Sequence, residues 1–275
     1  MDAAQMLAML APTATIRELA AGSSRVFRII EESGRSSIVK VYSSAPRERR
    51  ERHALDALAG IPGVPKVYER GTTENLPWLR MKDAGSWNLA NLPVNQDIIN
   101  KAGAVLRGIH DSEASITNLE GGLDEEYVQS HYLATLDRLE RFRRRLNLPA
   151  EVLAAAKKSE NLPQGSFPVP SHTRAYPSSF IVDDYGNVTL VGWAHATLAP
   201  PEWDLSMATW KFTRDIGPET ARALWEGYGA SFPQHRLKPW IAYHAANLMM
   251  EAAESRDGRL GDLSSLIADF QAAIR

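Results

Sequence analysis

The sequence predicts an α+β fold of two unequal lobes, a small five-stranded antiparallel sheet lobe followed by a larger, mainly helical lobe. Five short segments of apolar alternation fall within residues 1–82. Beyond residue 88 the 3.6-residue helical period dominates. Between the two, Asp83-Ala84-Gly85-Ser86 marks a change of composition. The expected organisation is therefore a sheet lobe over 1–82, a hinge over 83–88 and a helical lobe over 89–275.

Within the first lobe, strands are expected at 15–19, 26–30 and 37–42, separated by Gly22-Ser23-Ser24 and Ser33-Gly34 turns. Pro46 then opens a highly charged helix over 47–58, and Gly60 ends it. Two further strands follow at 66–69 and 78–81. In the second lobe, helices are expected at 95–110, 125–146 and 149–159. A loop rich in proline and serine covers 163–179, and a hairpin at 180–182 and 188–191 turns at Asp184-Tyr185-Gly186-Asn187. Four more helices are expected at 204–213, 219–230, 239–254 and 262–274.

Composition excludes several classes of function. The 275 residues include no cysteine, which removes disulfides, thiolate metal sites and cysteine nucleophiles. With 31 basic against 33 acidic residues, no global field draws in nucleic acid. No apolar run is long enough to span a membrane, and residues 1–10 lack the basic start of a signal peptide. A cytoplasmic protein is the expectation.

Several motifs carry a resemblance to a known family. Gly22-Ser23-Ser24-Arg25-Val26-Phe27 resembles a phosphate-covering loop between two strands, and Ile38-Val39-Lys40-Val41-Tyr42 resembles a strand whose lysine reaches ATP phosphates. Glu51 follows Lys40 by eleven residues, in Glu-Arg-His-Ala-Leu, like the helix glutamate that pairs with that lysine. Pro77-Trp78-Leu79-Arg80-Met81 is similar to the strand that leads to an adenine-holding hinge. Later, Leu106-Arg107-Gly108-Ile109-His110, Val191-Gly192-Trp193, Pro200-Pro201-Glu202-Trp203-Asp204-Leu205 and Glu226-Gly227-Tyr228 resemble segments of the aminoglycoside phosphotransferase and choline kinase-like family. The resemblance covers nearly the whole chain and implies a bilobal protein-kinase-like fold with ATP bound between the lobes.

The catalytic-loop-like segment, 170–193, departs from the family. Its pattern is His-Gly-Asp-x-His-Pro-x-Asn, whereas the chain reads His172-Thr173-Arg174-Ala175-Tyr176-Pro177-Ser178-Ser179. Pro177 and the strand after it fix the register. The base aspartate then falls on Arg174, one metal-binding residue on Ser179 and the other on Gly192. Arginine cannot accept a substrate proton, and magnesium needs hard oxygen ligands that glycine lacks. Loss of a base alone forfeits roughly 10²–10⁴-fold in rate.

These residues suggest a catalytically impaired, pseudokinase-like binding module. The positions expected to contact the cofactor are Gly22, Ser23, Lys40, Glu51 and Arg174, with no catalytic and no metal-binding residue. The expected ligand is ATP or another nucleotide without magnesium, or a small molecule or peptide, in the interlobe cleft. Protein scaffolding is a further role, and the alternative function is phosphotransfer through non-standard residues. Arg174 either binds the anion or plugs the cleft against a nearby acid. Asp204 is expected to support the loop, His110 and His172 to be packed histidines, and His195 to lie at the surface. Asp183 and Asp184 read as turn residues, and the arginines at 138, 141, 143, 144 and 145 as a solvated helical face.

Overall fold

The computed structural model describes residues 3–20, 24–114, 116, 123–230, 234–254 and 263–275. Five strands, β1 (Thr15–Ala20), β2 (Ser24–Ile30), β3 (Ser36–Tyr42), β4 (Val67–Thr73) and β5 (Leu76–Lys82), form an antiparallel sheet in the order β1-β2-β3-β5-β4. Helix α1 (Ala3–Leu10) buries Met6 and Leu7 with Phe27, Ile29, Val39 and Val41 on one face of this sheet. Helix α2 (Ala45–Ala57) follows β3, and its Ala54 and Leu55 share a core with Tyr42, Leu79 and Met81 of the other face. Strand alternation thus assigns β3 two different partners, with odd-numbered valines toward α1 and Lys40 toward the α2 side.

The connection after β5 is held on both sides. Arg28 of β2 donates to Asp83 Oδ1 at 3.0 Å, to the Gly85 carbonyl at 2.6 Å and to Ser86 Oγ at 2.9 Å. A two-residue strand, β6 (Trp87–Asn88), then pairs with β8 (Phe180–Val182), which in turn pairs with β9 (Val188–Leu190). This short strand is absent from the sequence reading because two residues carry no periodicity.

The helical part comprises α3 (Gln96–His110), α4 (Glu125–Leu146), α5 (Ala150–Ala156), α6 (Pro201–Asp215), α7 (Glu219–Tyr228), α8 (Gln234–Glu254) and α9 (Leu263–Ile274). Asn95 caps α3 through hydrogen bonds from the Asp97 and Ile98 N–H groups, and Asp124 caps α4 through Tyr127. Helices α3 and α7 touch backbone to backbone. A Cβ on Gly227 would lie 1.8 Å from the Asn100 carbonyl oxygen, and one on Gly103 would lie 2.0 Å from that of Leu224, so only glycine fits either position.

Two expectations need correction. The segment 163–179 was expected to be loop throughout, but β7 (Val169–Ser171) lies within it and pairs with β10 (Thr197–Ala199). Its partner is distant in sequence, so no local pattern announces it. Helix α8 begins five residues before the expected start, with Pro239 inside it. Proline near a helix start removes few intrahelical bonds, which explains its tolerance there. No helix among the described residues is long and apolar enough to cross a membrane.

Candidate functional site

Lys40 lies in register with Val26 on one side and Leu79 on the other, near the middle of the sheet. Its Nζ reaches Glu51 Oε2 of α2 at 2.6 Å, and the Glu51 side chain is only 2 % exposed. A buried carboxylate of this kind needs a partner, so the pair fastens α2 to β3. Lys40 Nζ also lies 5.3 Å from the centre of the Tyr42 ring. Burial, followed by the Glu51 charge, raises the Tyr42 pKa well above its usual value.

The loop 172–179 is held from beneath by Asp204, in the first turn of α6 and fully buried. Its carboxylate accepts the backbone N–H of His172 at 2.6 Å and that of Thr173 at 2.7 Å. The His110 Nε2 lies 3.3 Å away, and the other nitrogen of that ring lies 2.9 Å from the Tyr228 hydroxyl. An ionised carboxylate only accepts, so Nε2 is the donor. Burial pushes the Asp204 pKa upward, but hydrogen bonding and charge from His110, with His172, hold it below the usual carboxylate range. His172 is buried, donates from Nε2 to the Val191 carbonyl at 3.1 Å and packs edge-on to Trp193; burial lowers its pKa.

Thr173 adopts φ +65°, a left-handed conformation that a β-branched residue rarely takes. Besides its bond to Asp204, its hydroxyl donates to the His195 carbonyl at 2.8 Å and its carbonyl accepts from Trp203 Nε1 at 3.0 Å. These three bonds over-determine the backbone and so hold the strained conformation.

Arg174, Ser179 and Gly192 come together at this loop. Ser179 Oγ donates to the Arg174 carbonyl at 3.2 Å, and Val191 N–H donates to the Ser179 carbonyl at 2.9 Å, placing Gly192 next in line. Gly192 has φ +94° and open space where a Cβ would stand. Arg174 is exposed and reaches Glu251 of α8 at 3.7 Å, so an acid does lie beside it. These groups do not fit a divalent cation: one is a fixed positive charge, one a hydroxyl turned to a carbonyl, and one has no side chain. No group of three His, Asp or Glu side chains that could hold a metal ion occurs among the described residues. Gly22 and Ser23 lie outside the described residues. Asp183 accepts from Tyr185 N, Asn187 N and Asn187 Nδ2, and so closes the hairpin turn locally.

His195 was expected at the surface, yet it is half-buried in the short 193–195 helical turn against which α2 packs. Its pKa is pushed down to about 4, first by burial and then by the charges of Arg174, Arg47, Arg50 and His172. Arg47 and Arg50 stand in the first turns of α2 and were passed over as ordinary charges of an exposed helix. Because α2 packs on the 193–195 turn, their charges act on His195. A cavity of about 1130 Å³ lies elsewhere, between α6, α7, α8 and α9, and includes none of these residues.

Sheet lobe, helical lobe, lysine–glutamate pair and buried support beneath the 172–179 loop together define a kinase-like fold. The model of the phosphotransferase enzyme family matches residues 15–240, and the chain belongs to that family. Its structure is similar to that of a thermostable mutant of aminoglycoside phosphotransferase APH(4)-Ia in ternary complex with ADP and hygromycin B. The TM-score is 0.74 at 17 % identity, covering 100 % of this chain and 98 % of that one. ADP-bound aminoglycoside phosphotransferase APH(2'')-Ib is similar at TM-score 0.71 and 15 % identity, covering 100 % and 99 %. Spectinomycin phosphotransferase APH(9)-Ia, in complex with ADP and spectinomycin, is similar at 0.64 and 15 %, covering 98 % and 93 %. Among curated proteins none matches the chain in sequence.

Proposed function

We propose that this phosphotransferase-family chain is a pseudokinase, a module that holds a nucleotide or another phosphate-bearing small molecule between its lobes without transferring phosphate. The observation that carries the reading is the joint placement of Arg174, Ser179 and Gly192 around one loop whose supporting bonds to Asp204 are intact. The loop keeps its shape while the groups that would orient a hydroxyl and hold magnesium are gone. Retention of the Lys40–Glu51 pair favours continued anion binding. Three similar structures contain ADP, two of them with an antibiotic as well, which supports a nucleotide as the first ligand to test.

In this reading the lobes meet at 83–88, Lys40, held by Glu51, and Arg174 face the phosphates, and Gly22 and Ser23, outside the described residues, are assigned to cofactor contact from the sequence alone. Phosphate charge is offset by Lys40 and Arg174 in place of a metal ion, and the protein is cytoplasmic. The test is thermal unfolding with ATP or ADP in chelator and in magnesium. A ligand at 100 times its Kd stabilises the fold by about 2.7 kcal/mol, a shift of a few degrees. Stabilisation in chelator is expected; a shift that strictly requires magnesium contradicts the reading.

A further inference from the structure

The cavity of about 1130 Å³ between α6, α7, α8 and α9 lies apart from the interlobe site and is walled chiefly by apolar side chains. It reaches the buried residues Trp210 of α6, Leu237 of α8 and Ala273 of α9, and Trp225 of α7 and Ile241 of α8 line it half-buried. Its walls are tied to one another. Trp225 Nε1 donates to Thr209 Oγ1 at 2.7 Å, joining α7 to α6, and Trp210 Nε1 donates to Asp269 Oδ2 at 2.9 Å, joining α6 to α9. Helix α8 is held to α6 through His244 Nε2, 3.1 Å from Ser206 Oγ. Helix α7 is clamped to α3 at Gly227. Closing the space would break these ties, so the cavity is built into the packing.

The same ties decide what the cavity offers. Both indole N–H groups are taken up by wall residues. Arg214 Nη1 donates to Asp269 Oδ2 at 3.2 Å, and Arg222 pairs with Glu226 at 2.7 Å. Lys238, which is exposed, is the one further charge among the described lining residues. The charged groups are thus largely matched and give little field to hold an ion. Both donors to Asp269 meet the same oxygen, Oδ2, and no donor among the described residues reaches Oδ1. Ordered water needs two to four polar partners for each molecule, which these walls do not supply. A preformed, mostly apolar concavity with a few polar groups is the usual form of a small-molecule site.

We propose that this cavity is a second ligand site, for an uncharged aromatic molecule that donates one hydrogen bond to Asp269 Oδ1. Two tryptophans in the walls favour a ring-bearing body, through contact area and aromatic pairing. Asp269 fixes its orientation, because a carboxylate only accepts and one of its oxygens is open. The site uses neither Lys40 nor Arg174, and so stands whether or not a nucleotide binds between the lobes.

The test titrates the full chain by calorimetry with naphthol, its methyl ether and naphthoate. Naphthol should bind saturably. The ether keeps the rings but cannot donate, and should bind at least about tenfold more weakly, as expected for the loss of one hydrogen bond to a charged acceptor. Naphthoate, whose own carboxylate meets that of Asp269, should also bind more weakly than naphthol. The cavity is then filled from two helices, by Ala272→Trp on α9 and Ala221→Phe on α7, so that either variant decides if the other fails to fold. Each folded variant should weaken naphthol at least about tenfold. Absence of naphthol binding, equal affinity for the ether, tighter binding of naphthoate, or unchanged affinity in a folded filling variant overturns the site. So does concentration-dependent dimerisation in sedimentation that the filling variants abolish, because the cavity then receives a second copy of the chain.

Discussion

Asp204 accepts the backbone N–H of Thr173 at 2.7 Å, and so a fully buried carboxylate holds a threonine at φ +65°. The same carboxylate takes the His172 N–H at 2.6 Å. One buried carboxylate therefore holds the start of the 172–179 loop from beneath.

Removing that support should be costly. Asp204→Ala leaves two buried N–H groups and the His110 donor without an acceptor, at roughly 1–3 kcal/mol for each group not re-solvated. We expect a loss of about 3–5 kcal/mol, read from urea unfolding, and a smaller loss for Asp204→Asn, which keeps one acceptor oxygen. An unfolding midpoint for Asp204→Ala equal to wild type would show that the carboxylate does not hold the loop.

The Lys40–Glu51 pair has a different signature. Lys40→Met leaves the Glu51 carboxylate buried and uncompensated, which should cost about 3–5 kcal/mol, whereas Lys40→Met combined with Glu51→Leu should recover most of the stability. Anion binding should be lost in both variants. A double variant as unstable as the single one contradicts this account of the pair.

Acid should destabilise the fold through its buried histidines. His244 is buried against Trp203 and Ser206, with its pKa pushed down from 6.5 to about 4, mainly by burial. The unfolded chain takes up a proton as pH falls through 6.5, while the folded ring stays neutral until about pH 4. Stability from this group is thus complete above pH 6.5 and is lost progressively down to pH 4. By pH 5 His244 alone should account for about 2 kcal/mol of lost stability. Urea midpoints between pH 7.5 and 5 check this, and His244→Gln should flatten the profile.

Much of this architecture is legible in the sequence, for local reasons. Lys40 and Glu51 lie on a strand and on the helix that directly follows it, so eleven residues of chain fix their meeting. The strand behind the 172–179 loop follows from the alternation at Phe180–Val182. What escaped depends on tertiary docking. Arg47 and Arg50 look like any charges on an exposed helix until α2 packs on the 193–195 turn. His195 carries no motif, because its burial is decided by that same contact. The pairing of β7 with β10 joins three-residue segments far apart in sequence, one of them containing Pro170.

Placing acidic and amide groups at 174, 179 and 192 provides a direct check on the roles proposed for these positions. In the variant Arg174→Asp/Ser179→Asn/Gly192→Asp, the new aspartate at 192 has room, since no atom lies within 4 Å of the added Cβ. Its left-handed backbone costs roughly 1–2 kcal/mol, a strain that aspartate tolerates better than most residues. Magnesium should tighten ATP binding to this variant at least tenfold while leaving the wild type unaffected. An absence of any magnesium effect in the variant would mean that the three positions do not share one metal site.

The central claim is that phosphoryl transfer has been lost while the fold remains. It is tested most directly by following the γ-phosphate of labelled ATP in single-turnover conditions with magnesium, in the presence and absence of hygromycin B or spectinomycin. The account predicts that label release and transfer by the wild type stay at the level of the Lys40→Ala control. Magnesium-dependent release or transfer by the wild type that Lys40→Ala abolishes would contradict it.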